Sequence, residues 1–437
     1  MQRQKTIAKW LAIVLLCTVA VGAYIMYDAL YVGDGGQASA GGGTEGMPDP
    51  EPLPEPDPPY YTELPRQPET VNGAVVRHAG GEKDDLLQSA VFTQEGALAF
   101  FRSQSDEFDC RGRGLYCAVF DGSGLSAVNA FSDGADDNVL AAKRTAAGIT
   151  VIASGKSGSK IYLFDEKGKV AAERDFPFCE SAYIHTGAQT SVFFSDGESL
   201  RHASIDTGLQ IETDAFVKYA DGCEIVQTVA LGENHLIVAQ CGGDVEIFSF
   251  SQKNGFETLN TLTETEYLQF APLTGEEGVL FALLGRTRGG LLLSTFGADG
   301  RTRDSALLPD RSSAAVFGDG TSLTLVCEGV TETYCRHLDR ITSVNNALAF
   351  GRVYFARNYG GDGIFAADCE GELTLYRVSA EGGTETLFSQ PDSSPQYLAF
   401  AAGGGKMSLA FSSSSAEKHC YQNFGGSDVF LFSVNAA

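Results

Sequence analysis

Tryptophan is almost missing from this chain of 437 residues: the one present is Trp10, near the N-terminus. Glycan recognition through exposed indole rings therefore has nothing to use, and tyrosine would have to serve instead. Histidine is scarce, with six residues scattered as His78, His185, His202, His235, His337 and His419. There is no His-Glu-x-x-His, no Cys-x-x-Cys and no Gly-x-Ser-x-Gly, so helical zinc hydrolases, zinc ribbons and nucleophile-elbow hydrolases are excluded. Cationic residues are also in short supply. Against 56 Asp and Glu there are 31 Lys and Arg, a formal net charge of −25. Phosphate-backbone binding needs clustered cations, so nucleic acid is not expected as a partner.

Several near-matches fail on context. Gly155-Lys156-Ser157 has the end of a phosphate loop, but Thr150 stands where the first glycine is needed. The segment also joins two strands, leaving no helix N-terminus to hold phosphate. Gly403-Gly404-Gly405-Lys406 is followed by Met407 rather than Ser or Thr. Ser157 with Lys160, and Ser415 with Lys418, have serine–lysine spacing but sit in Gly- or Ser-rich turns. Asp133, Asp136 and Asp137 do not complete a calcium loop. No catalytic residue, metal or cofactor is assigned.

What is present begins with an address. Arg3, Lys5 and Lys9 precede an uncharged run from Trp10 to Tyr27, and Asp28 and Asp34 follow it. Eighteen residues at a rise of about 1.5 Å come close to the hydrocarbon thickness of a bilayer. The flanking charges put residues 1–9 in the cytoplasm, a signal anchor over 10–32, and the rest outside. Cleavage as a signal peptide, near Val21-Gly22-Ala23 or Ala38-Ser39-Ala40, is the competing reading and would make the protein secreted. Residues 33–71 form a disordered linker. Nine of the 14 prolines fall between Pro48 and Pro68, alternating with Asp and Glu, which gives an extended, self-repelling stalk.

From residue 72 to 437 the chain reads as short strands broken by Gly, Asp, Asn and Ser. One hairpin recurs, as IYLFDEKGKVAAERDF from Ile161, RHASIDTGLQIETDAF from Arg201 and LTLYRVSAEGGTETLF from Leu373. Copies lie about 40 to 46 residues apart, the size of one four-stranded blade. Each follows two shorter apolar strands, such as SAYIH and TSVFFS. The fold class is therefore all-β: an extracytoplasmic β-propeller of about eight four-stranded blades. Seven is the alternative, because Asn345 to Tyr359 divides two ways. The last repeat lacks a fourth strand, and a strand near Ala74 to Arg77 is expected to supply it and close the ring. These repeats resemble the broad PQQ-like and WD40-like propeller superfamily, on hairpins such as Ser204-Ile205-Asp206-Thr207-Gly208. The resemblance implies fold and no specific activity. With no Trp in the repeats, the docking Trp of quinoproteins and the Trp-Asp dipeptide are both absent, which argues against a quinone cofactor.

Nine of the ten cysteines lie beyond the apolar run, where disulfides are permitted. Strand register pairs Cys223 with Cys241, and the same reasoning joins Cys327 to Cys335 across a hairpin and Cys110 to Cys117 across a short loop. Cys369 and Cys420 fall in equivalent loops of the last two blades and are expected to bridge; Cys179 is left over. Two links between second and third strands are long: Ser103 to Gly114 in the first blade and Ser412 to Asp428 in the last. First and last blades are neighbours in a ring, so the two insertions should sit together and offer a recognition surface. Its candidate contacts are Asp106, Asp109, Arg111, Arg113, His419 and Tyr421. The leading functional expectation is a membrane-anchored, non-enzymatic scaffold that engages a protein or cell-envelope component. The alternative is an extracytoplasmic hydrolase or lyase acting from the axial pocket.

Overall fold

Burial along each repeat follows from where its strand sits in the ring. In the first blade the second strand, Ala97–Ser103, and the third, Gly114–Asp121, are buried almost throughout. Both faces of these strands are covered by neighbouring blades, so both faces are apolar. The fourth strands are polar and exposed; Arg340–Asn345 is exposed along its whole length. The innermost strands depart from the expectation of continuous apolar burial. Asp85–Phe92 alternates buried and half-buried residues, because one side faces the axis rather than another blade.

The computed structural model describes residues 66–435, apart from 72–73, 95, 188, 274–277, 310, 312, 380, 392–394, 396, 404 and 414–426. The apolar run at Trp10 to Tyr27 and most of the proline-rich segment lie outside the described residues. Among the described residues no helix is long and apolar enough to cross a membrane.

Eight antiparallel sheets make up the protein, each built in meander order from the axis outward. Seven are contiguous in sequence and four-stranded: 85–132, 138–176, 181–219, 223–262, 266–308, 314–345 and 353–391. The eighth takes Leu398–Gly403, Lys406–Ser413 and Asp428–Asn435 from the end of the chain and Ala74–Ala79 from its beginning. Val75 pairs with Ser433 and Ala79 with Val429, so hydrogen bonds close the ring. The segment that divides two ways in sequence resolves as an outer strand, Arg340–Asn345, and the next inner strand, Val353–Tyr359. That gives eight blades.

The folded part starts earlier than the composition suggests. Glu69–Val71 adds a fifth strand to the closing blade, and Arg66 bridges to Leu125 on the outer strand of the first. Gly124 lets this segment pass: it sits at φ +121°, and a Cβ there would lie 1.8 Å from the Arg66 carbonyl oxygen.

Eight apolar clusters occupy the eight seams between blades. In the seam between the first and second blades, Phe100, Leu115 and Val119 interlock with Ile149, Val151 and Phe164. The last seam joins Leu431 and Ala410 of the eighth blade to Phe101 and Tyr116 of the first. Each buried Phe or Leu contributes about 1.5–3 kcal/mol, so the core is a circular series rather than a single centre. The Asp-x-x-Gly hairpin holds by local capture. The Asp206 carboxylate accepts from the Gly208 and Gln210 amides, both at 2.8 Å. Leu209, rather than the glycine, takes the left-handed conformation at φ 58°. Its side chain is 1% exposed in the seam between the second and third blades, and that burial offsets the backbone strain.

Candidate functional site

The links from second to third strand are two or three residues long in six blades. In the first blade the link runs from Ser103 to Gly114, and in the eighth from Ser413 to Asp428. Both are rooted on one connection, residues 80–85, which joins the closing strand to the first blade. On one side, the Asp109 amide donates to the Gly80 carbonyl (3.2 Å) and the Gly80 amide donates to Asp109 Oδ2 (3.1 Å). Glu82 accepts from the amides of Asp106 and Glu107, each at 2.9 Å. On the other side, the Asp85 amide donates to the Ser427 carbonyl (2.6 Å), and the Ser427 amide to Asp84 Oδ1 (3.0 Å). The two insertions therefore leave the ring side by side.

Asp85 is the hub of this root and is fully buried. Its carboxyl accepts from the Gly81 amide (2.6 Å) and the Ser105 hydroxyl (3.4 Å), with Cys110 Sγ at 3.7 Å. Burial pushes its pKa up to about 7, against the lowering effect of those donors. Sequence reasoning did not single out Asp85; an acidic residue opening an otherwise apolar strand was the signal.

The expected contact residues divide. Asp106 is exposed and pairs with Lys83 at 3.2 Å. Arg111 and Arg113 are exposed on the same loop. The loop beneath them is fixed by Tyr116, whose hydroxyl donates to the Gly112 carbonyl (2.7 Å) and accepts from the Arg111 amide (3.0 Å). Asp109 is not presented for recognition: its side chain is 6% exposed and ion-paired with Arg66 at 2.6 Å. Burial raises its pKa even so, with Arg66 opposing. His78 lies beneath, 3.2 Å from Arg66, and burial pushes it down to about 3 with help from the arginine charge. His419 and Tyr421 lie outside the described residues.

The cysteines also divide. Cys223 and Cys241 are directly paired across the first two strands of the fourth blade and are disulfide-bonded. Cys110 and Cys117 are separate buried thiols. Cys117 points into the seam with the second blade, while Cys110 packs beside Tyr116 in the seam with the eighth. They are on opposite faces of one sheet. Cys327 and Cys335 are also free. The hairpin turns at Glu328-Gly329, so Cys327 pairs with Val330 and Cys335 with Ser322, at opposite ends of the ladder. Cys369 is a free thiol bonded to the Ala349 carbonyl, and Cys420, its expected partner, lies outside the described residues. Cys179 is buried between the second and third blades.

A cavity of about 1100 Å³ runs along the axis, lined by the inner strands of the first seven blades and by Tyr397 ahead of the eighth. Its lining includes Lys143, Arg357, Tyr183, Tyr267 and Tyr397, and among the described residues no Asp, Glu or His. Behind the wall, between the third and fourth blades, lies a cluster of His185, His202 and His235 with Phe193 and Phe250. His202 Nδ1 is hydrogen-bonded to Asp214. Burial lowers the pKa of all three imidazoles, with Asp214 opposing it at His202, and His235 is pushed down to about 4, its neighbours His185 and His202 adding to the effect. Among the described residues no group of three or more His, Cys, Asp or Glu is placed to hold a metal ion.

This architecture defines the protein as an eight-bladed β-propeller with a single insertion-bearing seam. No family model and no curated protein sequence matches the chain. Solved structures do. Saccharomyces cerevisiae Sqt1 superposes with a TM-score of 0.54 at 12% identity, over 83% of this chain and 98% of that one. The Dos1 propeller gives 0.52 at 9% identity, over 82% and 94%. BamB from Moraxella catarrhalis gives 0.40 at 13% identity, over 74% and 96%. At such identities the likeness is one of β-propeller fold and extends to no specific family.

Proposed function

We propose that this protein is a non-enzymatic binding scaffold, held at a membrane by its N-terminal apolar run and displaying the propeller on the far side. The partner is a protein or another component of the cell envelope, and it is met by the seam between the eighth and first blades. One observation carries the reading. The only two long second-to-third-strand links spring from the same connection, 80–85, and one presents Asp106, Arg111 and Arg113 on a loop locked from below. A rigid body carrying fixed, solvent-facing charges loses little entropy on binding. The hydrolase or lyase alternative asks for acid–base groups converging on the axis; among the described residues the axial lining offers Lys143 and three tyrosines but neither carboxylate nor imidazole.

The full-length chain, immobilised from detergent extract, tests this against a version with both insertions replaced by two-residue turns. The scaffold reading expects a defined envelope component retained in near-stoichiometric amount by the first and lost from the second. Retention by both versions, or by neither, contradicts it.

A further inference from the structure

The charge inside the axial cavity is opposite to the charge of the protein. The chain carries a formal net charge of −25, yet among the described residues the ionised side chains lining the cavity are both cations, Lys143 and Arg357. They come from the second and seventh blades and line the same cavity. Burial lowers the Lys143 pKa, and the Arg357 charge lowers it further. Neither makes an ion pair or a hydrogen bond among the described residues; the Lys143 ammonium lies over the Tyr183 ring, 5.2 Å from its centroid. Arg357 is exposed to the cavity solvent and Lys143 is half-buried, so both cations stand open to an entering anion.

Tyrosines surround the pair. Tyr183 and Tyr267 stand near the beginnings of their inner strands, and Tyr397 just precedes one, toward the insertion-bearing face. Each feels the Arg357 charge, while burial raises its phenol. Tyr183 and Tyr267 are half-buried in the ring, and Tyr397 keeps 37% of its surface exposed. At neutral pH they are un-ionised O–H donors with flat apolar rings.

We propose that the axial cavity is a binding site for a small organic oxyanion, a carboxylate or phosphate monoester with a planar apolar body. The oxyanion sits between Lys143 and Arg357, where ammonium and guanidinium supply charge-assisted hydrogen bonds. The planar body lies against Tyr183 and Tyr397, and the Tyr267 hydroxyl donates to the oxyanion. A volume of about 1100 Å³ admits a ligand of that size. The cavity walls concentrate the positive potential of the two cations, so an anion is drawn in despite the acidic exterior. This site is separate from the insertion-bearing seam and does not depend on the scaffold reading.

The test is calorimetric titration and thermal unfolding of the full-length chain with phenyl phosphate, benzoate and benzylamine, at ionic strength fixed with sodium chloride. Phenyl phosphate or benzoate binds and raises the unfolding temperature, and benzylamine does neither; the tighter anion identifies the head group. Arg357→Gln and Lys143→Gln each weaken anion binding by about tenfold or more. Each leaves the unfolding temperature of the unliganded protein nearly unchanged, which a general packing defect would not do. Tyr267→Phe removes one O–H while keeping the ring, and weakens binding without relying on a change of charge. The proposal is overturned if neither anion binds the unmodified chain, or if binding is unchanged in both charge variants and in Tyr267→Phe.

Discussion

Arg66 and Asp109, 43 residues apart in sequence, form an ion pair of 2.6 Å with side chains 13% and 6% exposed. It ties the segment before the closing strand to the first insertion. Asp109 also accepts from the Gly80 amide (3.1 Å), so removing its side chain takes the charge partner from a largely enclosed arginine and the acceptor from that amide. Asp109→Ala is expected to lower unfolding free energy by about 3 kcal/mol, because breaking one side of a buried pair strands the other. Urea denaturation measures this; a loss below about 1 kcal/mol would be the behaviour of a surface pair.

Closure by Ala74–Ala79 makes the start of the propeller indispensable. A chain beginning at residue 66 should unfold in one cooperative transition. One beginning at residue 82 loses the outer strand of the eighth blade and exposes the edge of Asp428–Asn435. It is expected to aggregate or melt far lower in a thermal scan. Comparable melting of the two would place closure elsewhere.

Alkylation in denaturant followed by peptide mass spectrometry should modify Cys110, Cys117, Cys179, Cys327, Cys335 and Cys369 and spare Cys223 and Cys241. The bonded pair is separated by 18 residues, so its reduction is expected to cost about 3 kcal/mol of stability. Protection of Cys327 or Cys335 would show a bridge that the register forbids.

Stability should fall in acid, with a sign set by the buried histidines. His235 and His78 have folded-state pKa values of about 4 and about 3, below the ordinary 6.5. The unfolded chain therefore takes up protons that the fold refuses. Their contribution is full above about pH 6.5 and declines as pH falls toward 4 and 3. Asp85, raised to about 7, works the other way: its contribution is present below about pH 3.8 and lost as pH rises through 7. His235→Phe, placed among Phe193 and Phe250, should flatten the acid limb of a plot of unfolding free energy against pH. An unchanged limb would remove His235 as its cause.

The repeat length, the two apolar strands ahead of each hairpin, the missing outer strand and its replacement near Ala74 were legible in sequence because each is a local pattern. Cys223 and Cys241 were legible because a two-residue turn fixed their register. Cys327 was misread although the signal was printed: Gly329, with φ +76°, turns the chain immediately after it. Asp109 was misread for a different reason. Its partner, Arg66, lies in a segment whose composition is that of a stalk, and no local pattern connects the two. Lys143 and Arg357 were invisible for a third reason. Their sharing one cavity depends on which side of an inner strand faces the axis, and a bulge in each strand shifts that phase, between Val139 and Ala141 in one and between Val353 and Phe355 in the other.

The recognition role of the seam is tested most directly by charge reversal on the first insertion. Arg111→Glu with Arg113→Glu changes two exposed side chains and leaves the Tyr116 anchor and the Asp85 root intact. Affinity for the retained envelope component should fall by about tenfold or more, with the unfolding temperature unchanged. Undiminished affinity in this variant, together with undiminished affinity when both insertions are shortened, would contradict a binding face at the seam.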